Sequence, residues 1–168
     1  MSPNKSVYYC FYEAPQGVGA VIFDHDGLID LMLPRPDSNK TKEVLEQYPQ
    51  SKLMKRDLSE VTTSLNSYFR GQKTGFGCPL NFNGYTLFER EVFAVTQTIP
   101  YGDVRSYKWV AERAGKPRAM RAVGQALKKN RVPVIIPCHR VVRSDGTLGG
   151  FNAGVSWKKR LLELEAKE

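Results

Sequence analysis

Residues 106–129 read SYKWVAERAGKPRAMRAVGQALKK. Ser106 is a favoured helix N-cap, and a helix follows from about Tyr107 to Ala114. Gly115 stops it, and Pro117 fits the first turn of a second helix that runs to about Lys129. Two helices joined by a short glycine-containing turn form the helix-turn-helix pattern. On the second helix, Arg118, Arg121, Gln125, Lys128 and Lys129 share one sector. Ala119, Ala122 and Ala126 lie beside it, and Met120, Val123 and Leu127 lie opposite the basic group. The apolar sector anchors the helix, the alanines let its backbone approach a surface, and the basic sector meets phosphates, which is what a groove-bound helix needs. The bland alternative is an amphipathic helix with a solvated charged face.

Charge placement favours the groove. The 168-residue chain carries 25 Lys+Arg against 17 Asp+Glu, a net charge of +8. Residues 1–84 hold nine of each sign, so residues 85–168 carry the whole excess. A basic half beside a neutral half fits a polyanion-binding module joined to a structural one.

Downstream, residues 132–142 read VPVIIPCHRVV. Two prolines bracket three apolar residues, which predicts a stiff, extended segment delivering Cys138 and His139 together. A free thiol has a pKa of about 8.5, so its activation needs a base or a positive charge nearby. His139 is the candidate base, and Arg140 adds positive potential. Neighbours on an extended chain face opposite ways, so a bridging water is expected between thiol and imidazole. The alternative for Cys138 is a buried, inert thiol. Ser156 fits the cap of a last helix with Trp157, Leu161 and Leu164 on one face. Glu165 falls on that apolar arc, where a carboxylate needs a partner; His139 could be that partner, or the chain end could fray and leave Glu165 in water.

Upstream, Phe88, Val92, Phe93 and Val95 predict a helix ending before Pro100, followed by a turn at Tyr101-Gly102-Asp103. In the first half, Val7–Tyr12, Val18–Asp24 and Leu28–Leu33 read as an antiparallel meander that Pro34 breaks. Ser38 caps a helix to about Gln47 with Val44 and Leu45 inward. Asp57 caps another with Leu58, Val61, Leu65, Tyr68 and Phe69 on one face. Residues 71–84 read as a linker. The expected fold is therefore α+β: a first domain, 1–84, with a small antiparallel β-sheet and helices, then a mainly helical second domain, 85–168, with a winged-helix-like helix-turn-helix. Cys10, Cys78 and Cys138 are an odd, scattered set that fits no disulfide framework, and two histidines make poor material for zinc. No apolar run could cross a bilayer, and the start of the chain lacks the core of a secretion signal. These features predict an intracellular, soluble protein with no metal and no cofactor.

The run Ile136-Pro137-Cys138-His139-Arg140-Val141-Val142 resembles the signature of the O6-alkylguanine-DNA alkyltransferases, also called methylated-DNA–protein-cysteine methyltransferases. The resemblance extends through Ile99-Pro100-Tyr101-Gly102-Asp103-Val104, Ser106-Tyr107, Arg121-Ala122-Val123-Gly124, the loop Gly146 to Gly154, and Leu161-Leu162-Glu163-Leu164-Glu165. It covers residues 85–168 almost continuously and the first half weakly, mainly at Tyr68-Phe69-Arg70-Gly71 and Pro79-Leu80.

The resemblance implies DNA repair by direct, single-turnover transfer of an alkyl group from O6-alkylguanine, or from O4-alkylthymine, to Cys138. It implies that His139 deprotonates Cys138 through a water, that Glu165 holds His139, and that Tyr107 gives a proton to the departing guanine. Arg121 would enter the base stack where the target nucleotide is flipped out. Ala122 belongs to the same recognition helix, and Lys108, Lys116 and Ser144 would touch the DNA backbone. Asn130 would brace the pocket loop, and Pro133, Val141, Phe151, Asn152 and Ala153 would line the pocket. Phe151 stands where some relatives carry Tyr, and Asn152 and Ala153 where some have smaller residues, which reshapes the pocket. A related non-enzymatic group has Trp at the position of Cys138. The implied partner is double-stranded DNA containing O6-alkylguanine, met by a monomer in the cytoplasm, or in the nucleus of a eukaryote. Two rivals remain at this point: a Cys-His hydrolase, which leaves the basic helix unexplained, and a DNA-binding regulator, which leaves Cys138 without a task.

Overall fold

The computed structural model describes residues 5–54 and 59–167. The chain divides into two compact units, Met1–Asn81 and Phe82–Glu168.

In the first unit, β1 (Tyr8–Ala14), β2 (Gly17–Asp24) and β3 (Gly27–Arg35) form the expected antiparallel meander. A two-residue strand, β4 (Lys52–Leu53), adds to β1 in parallel, so the sheet is mixed and runs β3-β2-β1-β4. Pro34 does not end β3. It sits on the outermost strand where the register slips between the Val18 and Ala20 pairings, and such a position loses no ladder bond to a missing N–H. Helix α1 (Lys40–Gln47) is capped by Asn39 rather than Ser38: its side chain accepts from the Lys42 N–H at 3.0 Å. Val44 points into a cluster with Tyr9, Ala20 and Ile22, whereas Leu45, expected inward, is exposed. Helix α2 (Ser59–Phe69) buries Val61, Leu65, Tyr68 and Phe69, and the Phe69 ring stacks on Tyr12. The expected cap Asp57 and Leu58 lie outside the described residues. Residues 20–23 are all buried, because alternate side chains of this central strand meet α1-side and α2-side partners. Residues 79–81 are less of a linker than their composition implies: the Leu28 N–H donates to Pro79 O at 2.9 Å, and Asn81 N–H donates to Leu28 O at 2.8 Å.

The second unit is a helical cluster. Helix α3 (Leu87–Gln97) opens with a capping box in which Thr86 Oγ1 accepts from the Glu89 N–H and the Glu89 carboxylate accepts from the Thr86 N–H. After β5 (Arg105–Ser106), α4 (Tyr107–Arg113) is capped by Ser106, whose Oγ accepts from the Trp109 N–H at 3.0 Å. Gly115 closes it at φ 73°. Helix α5 runs Met120–Lys128, so Pro117 lies in the turn before it and not in its first turn; the cap position is Ala119, with no side-chain bond. Arg118, Arg121, Gln125, Lys128 and Lys129 are exposed, and Val123, Ala126 and Leu127 are buried. Met120, expected inward, is 45 % exposed. A single 3-10 turn, Cys138–Arg140, leads into β6 (Val141–Val142), which pairs with β5 in parallel. Helix α6 (Val155–Glu165) closes the chain; Gly154 precedes it and Ser156 lies inside its first turn, not at its cap.

Candidate active site

The segment before the cysteine is not extended. Residues 133–135 turn, Val134 takes φ 72°, and the Ile136 N–H donates back to Val132 O at 3.0 Å. A branched side chain is strained in that conformation, so the surrounding packing must impose it. Buried Asn130 is the brace: its Oδ1 accepts from the Val132 N–H at 2.9 Å and its amide donates to Ile136 O at 3.0 Å. The same amide group reaches Cys138 Sγ at 3.2 Å. Because residues 138–140 form a tight turn, their side chains fan out by about a third of a turn each instead of alternating.

Cys138 faces a cavity of about 320 Å³. One wall is α5, with Met120, Arg121, Gly124, Leu127 and Lys128; the other is the loop from Arg143 to Asn152; Tyr107 and Cys138 complete it. His139 points the other way and is fully buried. Its Nε2 lies 2.6 Å from Glu165 Oε1. Glu165 is buried too, at 2 % exposure, so the chain end does not fray there. The Arg140 guanidinium grips the same carboxylate at 2.9 and 3.0 Å and donates to Ile99 O at 2.6 Å, and the Gly102 N–H donates to Glu165 at 3.1 Å. Arg140 therefore directs its hydrogen bonds at the carboxylate, correcting the expectation that it supplies the cysteine's cation.

That cation is Lys158, which sequence reasoning missed. It is fully buried, donates to Val141 O at 2.6 Å and Gly150 O at 3.1 Å, and lies 5.7 Å from the Tyr107 ring centroid. A signal was present: Lys158 is seven residues, two helical turns, before Glu165 and so shares its apolar arc. Burial pushes the Cys138 thiol up to about 11, while the Asn130 bond and then the Lys158 charge pull it down. Burial pushes the Lys158 ammonium down to about 8, against the opposing pull of Cys138. Burial also lowers His139 below its usual range, against the Glu165 bond, so the imidazole is neutral at rest. Tyr107 is raised, chiefly by burial. The resting site thus holds a thiol, a neutral imidazole ready to take a proton, and a phenol that keeps its own.

The other expected residues are placed as follows. Phe151 and Asn152 line the cavity with Ser144. Pro133, Val141 and Ala153 do not: Val141 is fully buried and serves the site through its carbonyl, and Pro133 and Ala153 are half-buried elsewhere on the two loops. Ala122, Lys108 and Lys116 are exposed on the helix-turn-helix. Lys108 lies 3.9 Å from Glu112, and Lys116 sits over the Phe88 ring. Lys129, grouped with the basic face, is ion-paired to Glu89 at 2.5 Å. Arg143, at the cavity mouth, was not anticipated. Among the described residues, Asp24, His25 and Asp26 come within 4.8 Å of one another at the β2–β3 turn, but Lys5 bonds to Asp26 and the Asn81 amide to Asp24.

Comparisons with known proteins agree with this geometry. Residues 7–82 match the family model described as 6-O-methylguanine DNA methyltransferase, ribonuclease-like domain, and residues 87–167 match the one described as 6-O-methylguanine DNA methyltransferase, DNA binding domain. The chain is 35% identical to the constitutive methylated-DNA–protein-cysteine methyltransferase of Bacillus subtilis (strain 168), covering 94% of each. It is 36% identical to the bifunctional transcriptional activator/DNA repair enzyme Ada of Escherichia coli (strain K12), covering 98% of this chain but only 47% of that longer protein. The crystal structure of Mycobacterium tuberculosis OGT in complex with DNA superposes with a TM-score of 0.78 at 34% identity, covering 95% of this chain and 92% of that one. With both halves matched and the Bacillus subtilis relative covered nearly end to end, the chain belongs to the methylated-DNA–protein-cysteine methyltransferase family.

Proposed function

We propose that this protein repairs DNA by moving an alkyl group from O6-alkylguanine onto Cys138, once per molecule. The observation that carries this is the placement of Cys138 Sγ at a cavity walled by the helix-turn-helix, with a charged lysine and a His–Glu pair behind it. The recognition helix α5 lies along the DNA groove. Arg121, exposed at the cavity mouth, fills the stack vacated by the flipped nucleotide, and the cavity receives the base. Lys108, Lys116 and Ser144 meet the backbone.

Chemistry then needs a thiolate from a thiol whose pKa lies near 11. Glu165 accepts the Nε2 proton of His139, which makes Nδ1 the basic nitrogen. His139 takes the Cys138 proton through a water, and Lys158 and the Asn130 amide stabilise the negative sulfur. The sulfur attacks the alkyl carbon, the S–C bond forms as the C–O6 bond breaks, and the guanine keeps the electron pair. Tyr107 donates its proton to that leaving base. The thioether product has no route back to a thiol in this site, so the reaction stops. We place this reaction in a monomer acting in the cytoplasm: one chain carries the acceptor, the relay and the DNA-facing helix.

Incubation with excess O6-methylguanine duplex should plateau at one methyl per chain, and peptide mapping should place it on Cys138. Cys138→Ser should bind DNA and take no label. Sustained turnover would favour a hydrolase, and tight DNA binding with no transfer would favour a regulator.

A further inference from the structure

We infer that Arg143 is a DNA-phosphate clamp that acts on the flipped nucleotide from the wall opposite the recognition helix; this deepens the alkyl-transfer reading and rests on it.

Three cations reach the cavity mouth: Arg121 and Lys128 from α5, and Arg143 from the loop that follows the reactive turn. All three are exposed, and among the described residues none has a carboxylate within 4.0 Å. Several other bases of this region are engaged: Arg140 and Lys158 by buried acceptors, Lys129 by Glu89, and Lys108 near Glu112. Unpaired cations converging on an opening of mostly apolar lining are placed for a ligand with a flat apolar body and anionic ends, which describes a nucleotide. A swung-out nucleotide keeps a phosphate on each side. One wall of cations meets the backbone that runs along α5. The second phosphate, displaced by the swing, needs a cation on the other wall, and Arg143 is the one there.

Arg143 is also held for this work. Its N–H donates to Thr147 O at 2.9 Å, and its carbonyl accepts from the Gly146 N–H at 2.9 Å. Asp145 closes the turn by accepting from the Thr147 N–H and hydroxyl at 2.9 and 2.7 Å, and it feels the Arg143 charge without forming an ion pair with it. The field of Arg143 reaches the interior of the site, where it lowers both Tyr107 and Lys158. A guanidinium whose main-chain anchor is fixed loses less freedom on forming a bidentate phosphate contact.

The test separates phosphate recognition from upkeep of the site. Alkyl-transfer rates of the whole protein and of Arg143→Gln are measured with O6-benzylguanine as the free base and within a duplex. The expected result is a fall with the duplex about tenfold larger than any change with the free base, which has no phosphate and reports only the loss of the Arg143 field on Tyr107 and Lys158; Arg143→Lys should recover part of the duplex rate. Equal falls with both substrates, or no fall with either, would overturn the assignment. Duplex affinity is measured separately against salt, with O6-methylguanine DNA and with Cys138→Ser as the background, so that the lesion is present and no chemistry occurs. Loss of one phosphate contact should reduce the slope of log affinity against log salt by about 0.9. An unchanged slope would overturn the clamp even if transfer itself were absent, whereas a wild-type protein that takes no benzyl group while the slope changes would overturn only the transfer reading.

Discussion

At the scale of single residues, the site is built on buried charges whose placement fixes the chemistry. Lys158 is costly in an interior, and what offsets that cost is two carbonyl bonds and the neighbouring sulfur. Its charge is present only below about pH 8, while the Cys138 thiolate becomes populated toward about 11. The two titrations oppose each other. Below pH 8 Lys158 is protonated and the rate should rise with pH as more thiol ionises. Above pH 8 the thiolate fraction still rises, but Lys158 loses its proton and its stabilising field in step. Log rate against pH is therefore expected to bend to a plateau near pH 8, measured with free O6-benzylguanine. Lys158→Met should react roughly ten to a hundred times more slowly and show no bend there; an unchanged bend would remove Lys158 from the mechanism. Cys138, His139 and Glu165 were readable because rare residue types stood together or on the wrong face of a helix. Lys158 stood on the same arc as Glu165 and was passed over, because a lysine in the first turn of a surface helix is usually solvated. Arg140 was misread for a different reason: which of several buried groups a guanidinium will grip is decided by residues far away in sequence, here Ile99 and Glu165.

At the scale of elements, the loop 143–152 leaves room for Tyr107 at a single glycine, Gly149. Gly149 has φ 72°, and a Cβ there would lie 2.7 Å from the Tyr107 hydroxyl. Gly149→Ala should displace the phenol and slow transfer from free base and duplex alike, by roughly ten to a hundredfold. Equal rates for the variant and the parent would mean that Tyr107 is not the proton donor. The elements themselves were mostly legible. Periodicity and capping residues place α3, α4, α5 and α6 close to where they form, since those signals are local. The caps at Asn39 and Gly154 were misassigned to Ser38 and Ser156, and α5 begins after Pro117 rather than around it. The larger error concerns residues 133–140. Prolines and branched residues favour extended chain, but Asn130 ties both ends of the segment and holds Val134 in an unfavourable conformation. A side-chain brace of that kind, bonded to main chain two and six residues away, leaves no trace in backbone propensity or hydrophobic period, and the fan of Cys138, His139 and Arg140 depends on it.

At the scale of the whole molecule, the charge excess lies in the second half of the sequence, and that basic half is the one that carries the cavity. The four-stranded sheet of the first unit was only partly foreseen, because two residues are too few to announce β4. The outer margin of that sheet has a further importance. Residues 79–81 bond to Leu28 at one end of β3, and Pro34 offers no donor at the other. Together they leave a newcomer chain little continuous main chain to zip against, so the strip that joins the two halves also serves as a guard against fibre growth. Lengthening the chain at Gly75 should be tolerated, since the space around it is open. Excising residues 79–81 should instead make light scattering climb with protein concentration, and a variant lacking them that stayed clear would show that the prolyl end suffices alone.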